Sequence, residues 1–129
     1  MNMLNYVLNP LKKKSVKVYG RGLNISGKDS RILCRKITGR SLPKAKAFLQ
    51  RLVDGTENIG GKYYTKAAGE IHGLLKSAEN NAETKGLDAE RLIVHASAHK
   101  GYRFMRPRRF KMRRQQRKVT NIQLVLQLK

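Results

Sequence analysis

Two stretches of this chain alternate strictly between apolar and other side chains, and what lies between them constrains the architecture. In the first, Leu92, Val94, Ala96 and Ala98 fall on one side and Ile93, His95, Ser97 and His99 on the other. In the second, Ile122, Leu124, Leu126 and Leu128 alternate with Asn121, Gln123, Val125 and Gln127. A period of two belongs to a strand, because successive side chains of extended backbone point to opposite faces. Both segments are expected in one sheet, with Lys100 to Lys118 between them too polar for a core. Pro107, near the middle of that stretch, sits where a β-ladder tolerates a missing donor. A long hairpin is the economical reading. Carried from Lys100 to about Arg109 at ~3.3 Å per residue, its tip reaches roughly 30 Å beyond the body.

Upstream the apolar period changes. Val16 and Val18 alternate with Lys17 and Tyr19 as a short strand stopped by Gly20 and Gly22. Ser26 then reads as a helix N-cap with Asp29 three residues on, a carboxylate at the positive end of the helix dipole. The stripe Ser30, Leu33, Cys34, Ile37 faces the core until Gly39 ends that helix near Thr38. Ser41 caps a second helix with Pro43 in its first turn and Ala45, Phe48, Leu49 and Leu52 inward; Asp54 and Gly55 close it. After Gly60 and Gly61, Thr65 opens the longest helix, with Ala68, Ile71, Leu75, Ala78 and Ala82 on one face and Gly86 at its end. These elements predict an α+β fold in which three helices pack on a small antiparallel sheet that extends into a long basic β-hairpin arm. At 129 residues there is room for one domain and one core. Residues 1–14 are expected as a flexible basic lead-in, and 15–129 as a single domain with its arm at about 100–118.

Charge decides what such a chain can bind. The 29 Lys and Arg against 8 Asp and Glu leave a formal charge of +21, which repels itself in a compact fold unless a polyanion neutralises it. All the acidic residues lie between Asp29 and Glu90, so the ends of the chain form the electrostatic footprint. The body contributes Lys12, Lys13, Lys14, Lys17, Arg21, Lys28 and Arg31. The arm contributes Lys100, Arg103, Arg106, Arg108, Arg109, Lys111, Arg113, Arg114, Arg117 and Lys118 with no acid among them. Guanidinium groups fork onto phosphates and stack on bases, so this Arg-rich stretch suits structured RNA. Tyr102 and Phe104 supply stacking surfaces, while Met105, Pro107, Phe110 and Met112 form the expected tip.

Other chemistry finds little support. Gly22-Leu-Asn-Ile-Ser-Gly27-Lys28 spells G-x-x-x-x-G-K between a strand and a helix, as a phosphate-binding loop does. However, Asp29 stands where Ser or Thr would hold magnesium, and Leu23 and Ile25 are bulky where amides should wrap the anion. His72, His95 and His99 lack partners at triad or metal spacing; His95 and His99 share a face away from the apolar stripe. Cys34 is expected as an inert core residue. Neither a catalytic residue, a metal site nor a cofactor is expected, and the chain reads as no enzyme. With a single cysteine and no signal-peptide-like or membrane-spanning apolar run, a cytoplasmic protein without membrane insertion is the expectation.

The segments NISGKDSRILCRKITGRSLPKAKAFLQRLV and KYYTKAAGEIHGLLKSAENNAETKGLDAERLIVHASAHKG, followed by MRPR and the closing TNIQLVLQ, resemble the family of large-subunit ribosomal protein twenty-two. The archaeal or eukaryotic type is the nearer, numbered seventeen in eukaryotes. The likeness covers about residues 16–128. It implies three helices on a small antiparallel sheet, binding to large-subunit ribosomal RNA, a part in its assembly, and a hairpin along the wall of the nascent-peptide exit tunnel. The positions that carry over are Lys28 and Arg31, Lys100, Arg106, Pro107 and Arg108, and the returning strand. The implied partners are ribosomal RNA, neighbouring ribosomal proteins and the nascent polypeptide. Beyond Arg108 the family usually has small residues and a Gly-Arg pair, whereas this chain has Arg109, Phe110, Lys111 and Met112. The loop between the second and third helices is also shorter than in the archaeal type. The rival reading is an architectural DNA-binding protein laying a β-ribbon arm into the minor groove. Such proteins dimerise through large apolar helix faces, while these stripes suffice only to cover their own sheet; no homo-oligomer is expected.

Overall fold

The alternating segment near the C-terminus forms the middle strand of the sheet. A computed structural model describes residues 6–106, 109–111 and 113–129. Its elements in chain order are β1 (Ser15–Leu23), α1 (Gly27–Ile37), α2 (Leu42–Asp54), α3 (Thr65–Thr84), β2 (Leu92–Met105) and β3 (Gln116–Leu128). The sheet order is β1-β3-β2, with both pairs antiparallel. Leu126 faces Val16 on one side and Val94 on the other, and Leu124 faces Val18 and Ala96. This register collects the apolar side chains on one face, and a slip of one residue would turn them all to the other. Three helices on a small antiparallel sheet, as the sequence predicts, is the observed fold.

The helices bury the stripes their spacing predicts, Ser30, Leu33, Cys34 and Ile37 from α1, Ala45, Phe48, Leu49 and Leu52 from α2, and Ala68, Ile71, Leu75, Ala78 and Ala82 from α3; Leu42 and Ala67, outside those expected stripes, are buried as well. The Ser26 hydroxyl accepts the Asp29 N–H at 3.4 Å, as a cap should. At the end of α3, Gly86 takes φ +74, its N–H donates to Glu83 O and the Leu87 N–H to Ala82 O, both at 2.9 Å. This paired closure is the Schellman motif, which favours glycine there. Small residues let α3 lie close to the sheet; a Cβ on Gly20 of β1 would stand 2.8 Å from Leu74 Cδ1. Ser41 occupies the N-cap of α2 but its side chain makes no capping bond.

The α1–α2 connection does something else. Gly39 N–H donates to Val94 O at 2.8 Å, Val94 N–H donates to Arg40 O at 2.9 Å, and Ser41 bridges Ile93. The Thr38 hydroxyl accepts the Ala96 N–H at 3.2 Å while donating to Cys34 O at 2.6 Å. Residues 38–41 thus blunt part of the free edge of β2, where unpaired backbone would otherwise invite association.

Val125 and Gln123 are buried although alternation assigns them to the outer face. The reason is residues 6–9, which cross that face. Val7 N–H donates to Gln123 Oε1 at 3.2 Å, Lys17 Nζ reaches Asn9 Oδ1 at 2.7 Å and lies 5.0 Å from the Tyr6 ring centroid, and Tyr6 meets Tyr19 edge-on at 6.3 Å. The segment read as a lead-in therefore contacts the sheet over these residues, while Lys12–Lys14 forms one exposed 3-10 turn.

Candidate nucleic-acid interface

Both neighbours of β3 change register around one residue. Thr120 pairs with Leu23 of β1 and with Lys100 of β2, and the register shifts between Gly20 and Leu23 and between Lys100 and Arg103. Each shift is a β-bulge that sets one extra residue against β3, bending the strand and increasing its twist. Thr120 is buried, its hydroxyl donating to Ile25 O at 2.8 Å, so this pivot is tied to the loop before α1.

Two glycines make the bulges possible. Gly22 has φ +67, a left-handed conformation costly for side-chain-bearing residues, and its N–H donates to Asn121 Oδ1 at 2.9 Å. The Tyr102 ring covers it; a Cβ on Gly22 would lie 3.1 Å from Tyr102 Cε1. A Cβ on Gly101 would meet Val119 Cγ2 at 2.7 Å and Asn121 Oδ1 at 3.0 Å. His99 Nε2 lies 3.2 Å from Tyr19 Oη and 3.4 Å from Asn121 Nδ2, joining the outer face to the same junction.

Beyond this base, Tyr102, Arg103, Phe104 and Met105 on β2 and Arg117 and Lys118 on β3 are all exposed. Arg103 pairs with Lys118, Phe104 with Arg117 and Met105 with Gln116. Strand pairing ends at Met105, short of the Arg109 that the arm's expected length requires. Among the described residues beyond it, Arg106 N–H donates to Gln115 O at 3.0 Å, Gln115 Nε2 donates to Lys111 O at 3.2 Å, and Arg114 takes φ +67. Arg109, Phe110, Lys111, Arg113 and Arg114 are exposed there, Phe110 at 92%. Arg106 is half-buried, with Nη1 on Gln115 Oε1 at 3.2 Å, and its Nε is buried without a partner among the described residues. Pro107, Arg108 and Met112 of the expected site lie outside the described residues.

In the body, Lys12, Lys13, Lys14, Arg21, Lys28, Arg31 and Lys100 are exposed and Lys17 half-buried. They are spread over four elements: Lys12–Lys14 on the 3-10 turn, Lys17 and Arg21 on β1, Lys28 and Arg31 on α1, and Lys100 on β2. Sequence reasoning passed over Arg35 and Lys36, exposed on α1, although Lys28, Arg31 and Arg35 already stand at helical spacing. It also passed over Arg40, Lys44, Arg91 and Lys129, which line a cleft of about 590 Å3 at the opposite end of β2. There the Arg40 guanidinium lies 4.6 Å from the Phe48 ring centroid.

Charge compensation is sparse. Among the described residues the salt bridges are Lys46–Glu79 and Arg51–Glu57, neither of them in the arm. The chemistry of the remaining candidates is quiet. Burial pushes the Cys34 thiol up to about 12. Desolvation and then Lys76 and Lys46 lower His72, with Glu79 opposing them. Asn24, Ile25 and Ser26 form a short capped connection from β1 into α1, with Ile25 buried in the core, which leaves no loop of amides to wrap a phosphate. No group of three potential metal ligands occurs among the described residues, and none of their helices is long and apolar enough to cross a membrane.

Comparison with known proteins points one way. Residues 18–127 match the model of the ribosomal protein L22p/L17e family. A protein of Methanococcus aeolicus named large ribosomal subunit protein uL22 is 33% identical over 85% of this chain and 86% of its own length. Its namesake from Methanopyrus kandleri is 37% identical over 69% of each chain, and that from Methanococcus vannielii 36% identical over 85% of this chain and 86% of its own.

Proposed function

The chain belongs to the ribosomal protein L22p/L17e family, and on that premise we propose that it is a structural constituent of the large ribosomal subunit, binding large-subunit ribosomal RNA and aiding its assembly. It works in the cytoplasm by positioning and catalyses no reaction. The observation that carries the reading is the arm's charge: Arg103 and Lys118 face each other across a ladder whose neighbours are further cations and exposed rings. Like charges directly opposite destabilise a strand pair. A polyanion lying along the arm reverses the sign of that contribution, and the rings of Tyr102, Phe104 and Phe110 offer faces for bases.

The body docks through Lys12, Lys13, Lys14, Lys17, Arg21, Lys28 and Arg31, while the arm from Lys100 to Lys118 enters between RNA helices and its tip lines the nascent-peptide exit tunnel. Neighbouring ribosomal proteins and the nascent polypeptide are then its further partners. The exposed large apolar side chains among the described residues lie on the arm, at Val7, Leu11 and at Tyr63, and not on α1, α2 or α3. The helices therefore give their apolar faces to the core, which favours this reading over a DNA-bending dimer.

Sedimentation tests it. Ribosomes washed in high salt and run on a sucrose gradient should retain the protein stoichiometrically in the large subunit; recovery with DNA or as free protein defeats the reading. Binding to ribosomal RNA should weaken with a slope of log affinity on log salt near −9 if about ten phosphates are neutralised, and less steeply on irregular RNA. Crosslinks from a stalled nascent chain should reach residues 102–114; their consistent absence there removes the tunnel assignment.

A further inference from the structure

Between α1 and the free edge of β2 runs a groove of about 470 Å3, with Arg31, Arg35 and Thr38 on one wall and Ala96, Ser97 and Ala98 on the other. Its polar groups follow from the strand register. In an antiparallel ladder, alternate residues direct both N–H and C=O away from the partner strand. Val94 and Ala96 are such residues, since both donate outward to residues 38–41. By the same alternation Ala98 and Lys100 direct their backbone groups to that side. The cover stops at Thr38, and no described residue outside the sheet hydrogen-bonds the Ala98 backbone. The edge therefore opens where the groove begins.

The facing wall is cationic and uncompensated. Arg31 and Arg35 are one helical turn apart, with Cβ atoms about 5–6 Å from each other, and Lys28 extends the row. Asp29 precedes Arg31 by two residues, about 200° around the helix, and forms no salt bridge among the described residues. The groove thus combines two guanidinium forks with a backbone N–H and C=O side by side. Phosphate oxygens match the guanidinium groups, and a ribose 2′-hydroxyl, both donor and acceptor, matches the backbone pair.

We propose that this α1–β2 groove seats one strand of ribosomal RNA, with phosphates on Arg31 and Arg35 and a 2′-hydroxyl at the Ala98 backbone. The inference rests on the RNA-binding reading above and adds Arg35 and the edge of β2 to it. Deoxyribose lacks the hydroxyl, so the groove also favours RNA over DNA. An extended peptide pairing with the open edge is the competing occupant; the arginine row favours the polyanion.

Two measurements on the full-length protein with in vitro transcribed large-subunit ribosomal RNA test this. Arg35→Gln should make the log affinity against log salt slope shallower by about 0.7–0.9, the contribution of one phosphate contact. Lys76→Gln, at an exposed position of α3, should leave it unchanged. In the wild-type protein, hydrogen exchange at the Ala98 amide should slow about tenfold on adding the RNA, with the Ala96 amide, already bonded to Thr38, as reference; this needs no variant to fold. The proposal needs both results. A wild-type protein that does not bind the RNA defeats the RNA-binding reading itself. Binding with an unaltered Arg35→Gln slope or an unprotected Ala98 overturns the groove alone. Protection of Ala98 in intact large subunits but not by RNA alone assigns the edge to a protein strand and overturns the RNA proposal.

Discussion

Arg103 of β2 lies directly opposite Lys118 of β3, so the first pair beyond the bulge of β2 sets two cations against each other. In the free protein this pair opposes strand pairing, and an opposite-charge pair contributes roughly 0.2–1 kcal/mol in the other direction. Lys118→Glu should therefore protect the amides of Arg103–Met105 from hydrogen exchange in the free chain, while weakening binding to ribosomal RNA. An equal or tighter RNA affinity for Lys118→Glu would show that the pair does not face the nucleic acid.

Gly22 and Tyr102 make a second junction at the base of the arm. Gly22→Ala meets two obstacles, a backbone at φ +67 and the Tyr102 ring 3.1 Å from the added carbon. The left-handed conformation alone costs about 1–2 kcal/mol with a Cβ present. Thermal unfolding of Gly22→Ala should show at least that loss. The double variant with Tyr102→Ala should recover the steric share but not the backbone share. Complete recovery would place the whole cost in the ring contact.

Leu126 touches both neighbours of the central strand, opposite Val16 and Val94, and is fully buried. Leu126→Ala removes side-chain volume from a fully buried position of the central strand, and about 2–5 kcal/mol of destabilisation is expected. Leu128→Ala, at the half-buried end of the same stripe, should cost visibly less in denaturant unfolding. Equal costs would mean that the sheet is not organised around β3.

The helices and the two long strands were legible because their signals are local. The stripes of α1, α2 and α3 and the alternation in β2 and β3 each lie within one segment. What escaped depends on distant partners. Val16 and Val18 announce a strand but not that it pairs with β3 from the far end of the chain. Val125 and Gln123 read as outward until residues 6–9 are laid over them. Gly22 reads as a strand stop, yet it is the bulge against which Tyr102 packs, a relationship that exists only once β1 and β2 meet at Thr120. The cations of the site were legible as charge without internal compensation. Arg35 was legible too, one turn beyond Arg31, but its significance required the open edge of β2, which no periodicity reveals.

Cys34 gives the fold a dependence on alkaline pH. Burial raises its thiol from an ordinary value of 9.0 to about 12 in the folded chain. Below pH 9 the thiol is protonated in both states and contributes nothing to the pH dependence. Between about 9 and 12 the unfolded chain releases the proton while the folded chain retains it, so unfolding is increasingly favoured. One proton corresponds to about 1.4 kcal/mol per pH unit. Lysines and tyrosines also titrate in this range, so the readout is the difference between wild type and Cys34→Ala in denaturant unfolding at pH 8 and pH 10. The wild type should lose more stability over that interval, by about 1.4 kcal/mol, because only the unit above pH 9 contributes. Parallel losses in the two proteins would show that the thiol ionises as readily in the folded chain as in the unfolded one, contradicting its burial beneath the α1–β2 wall.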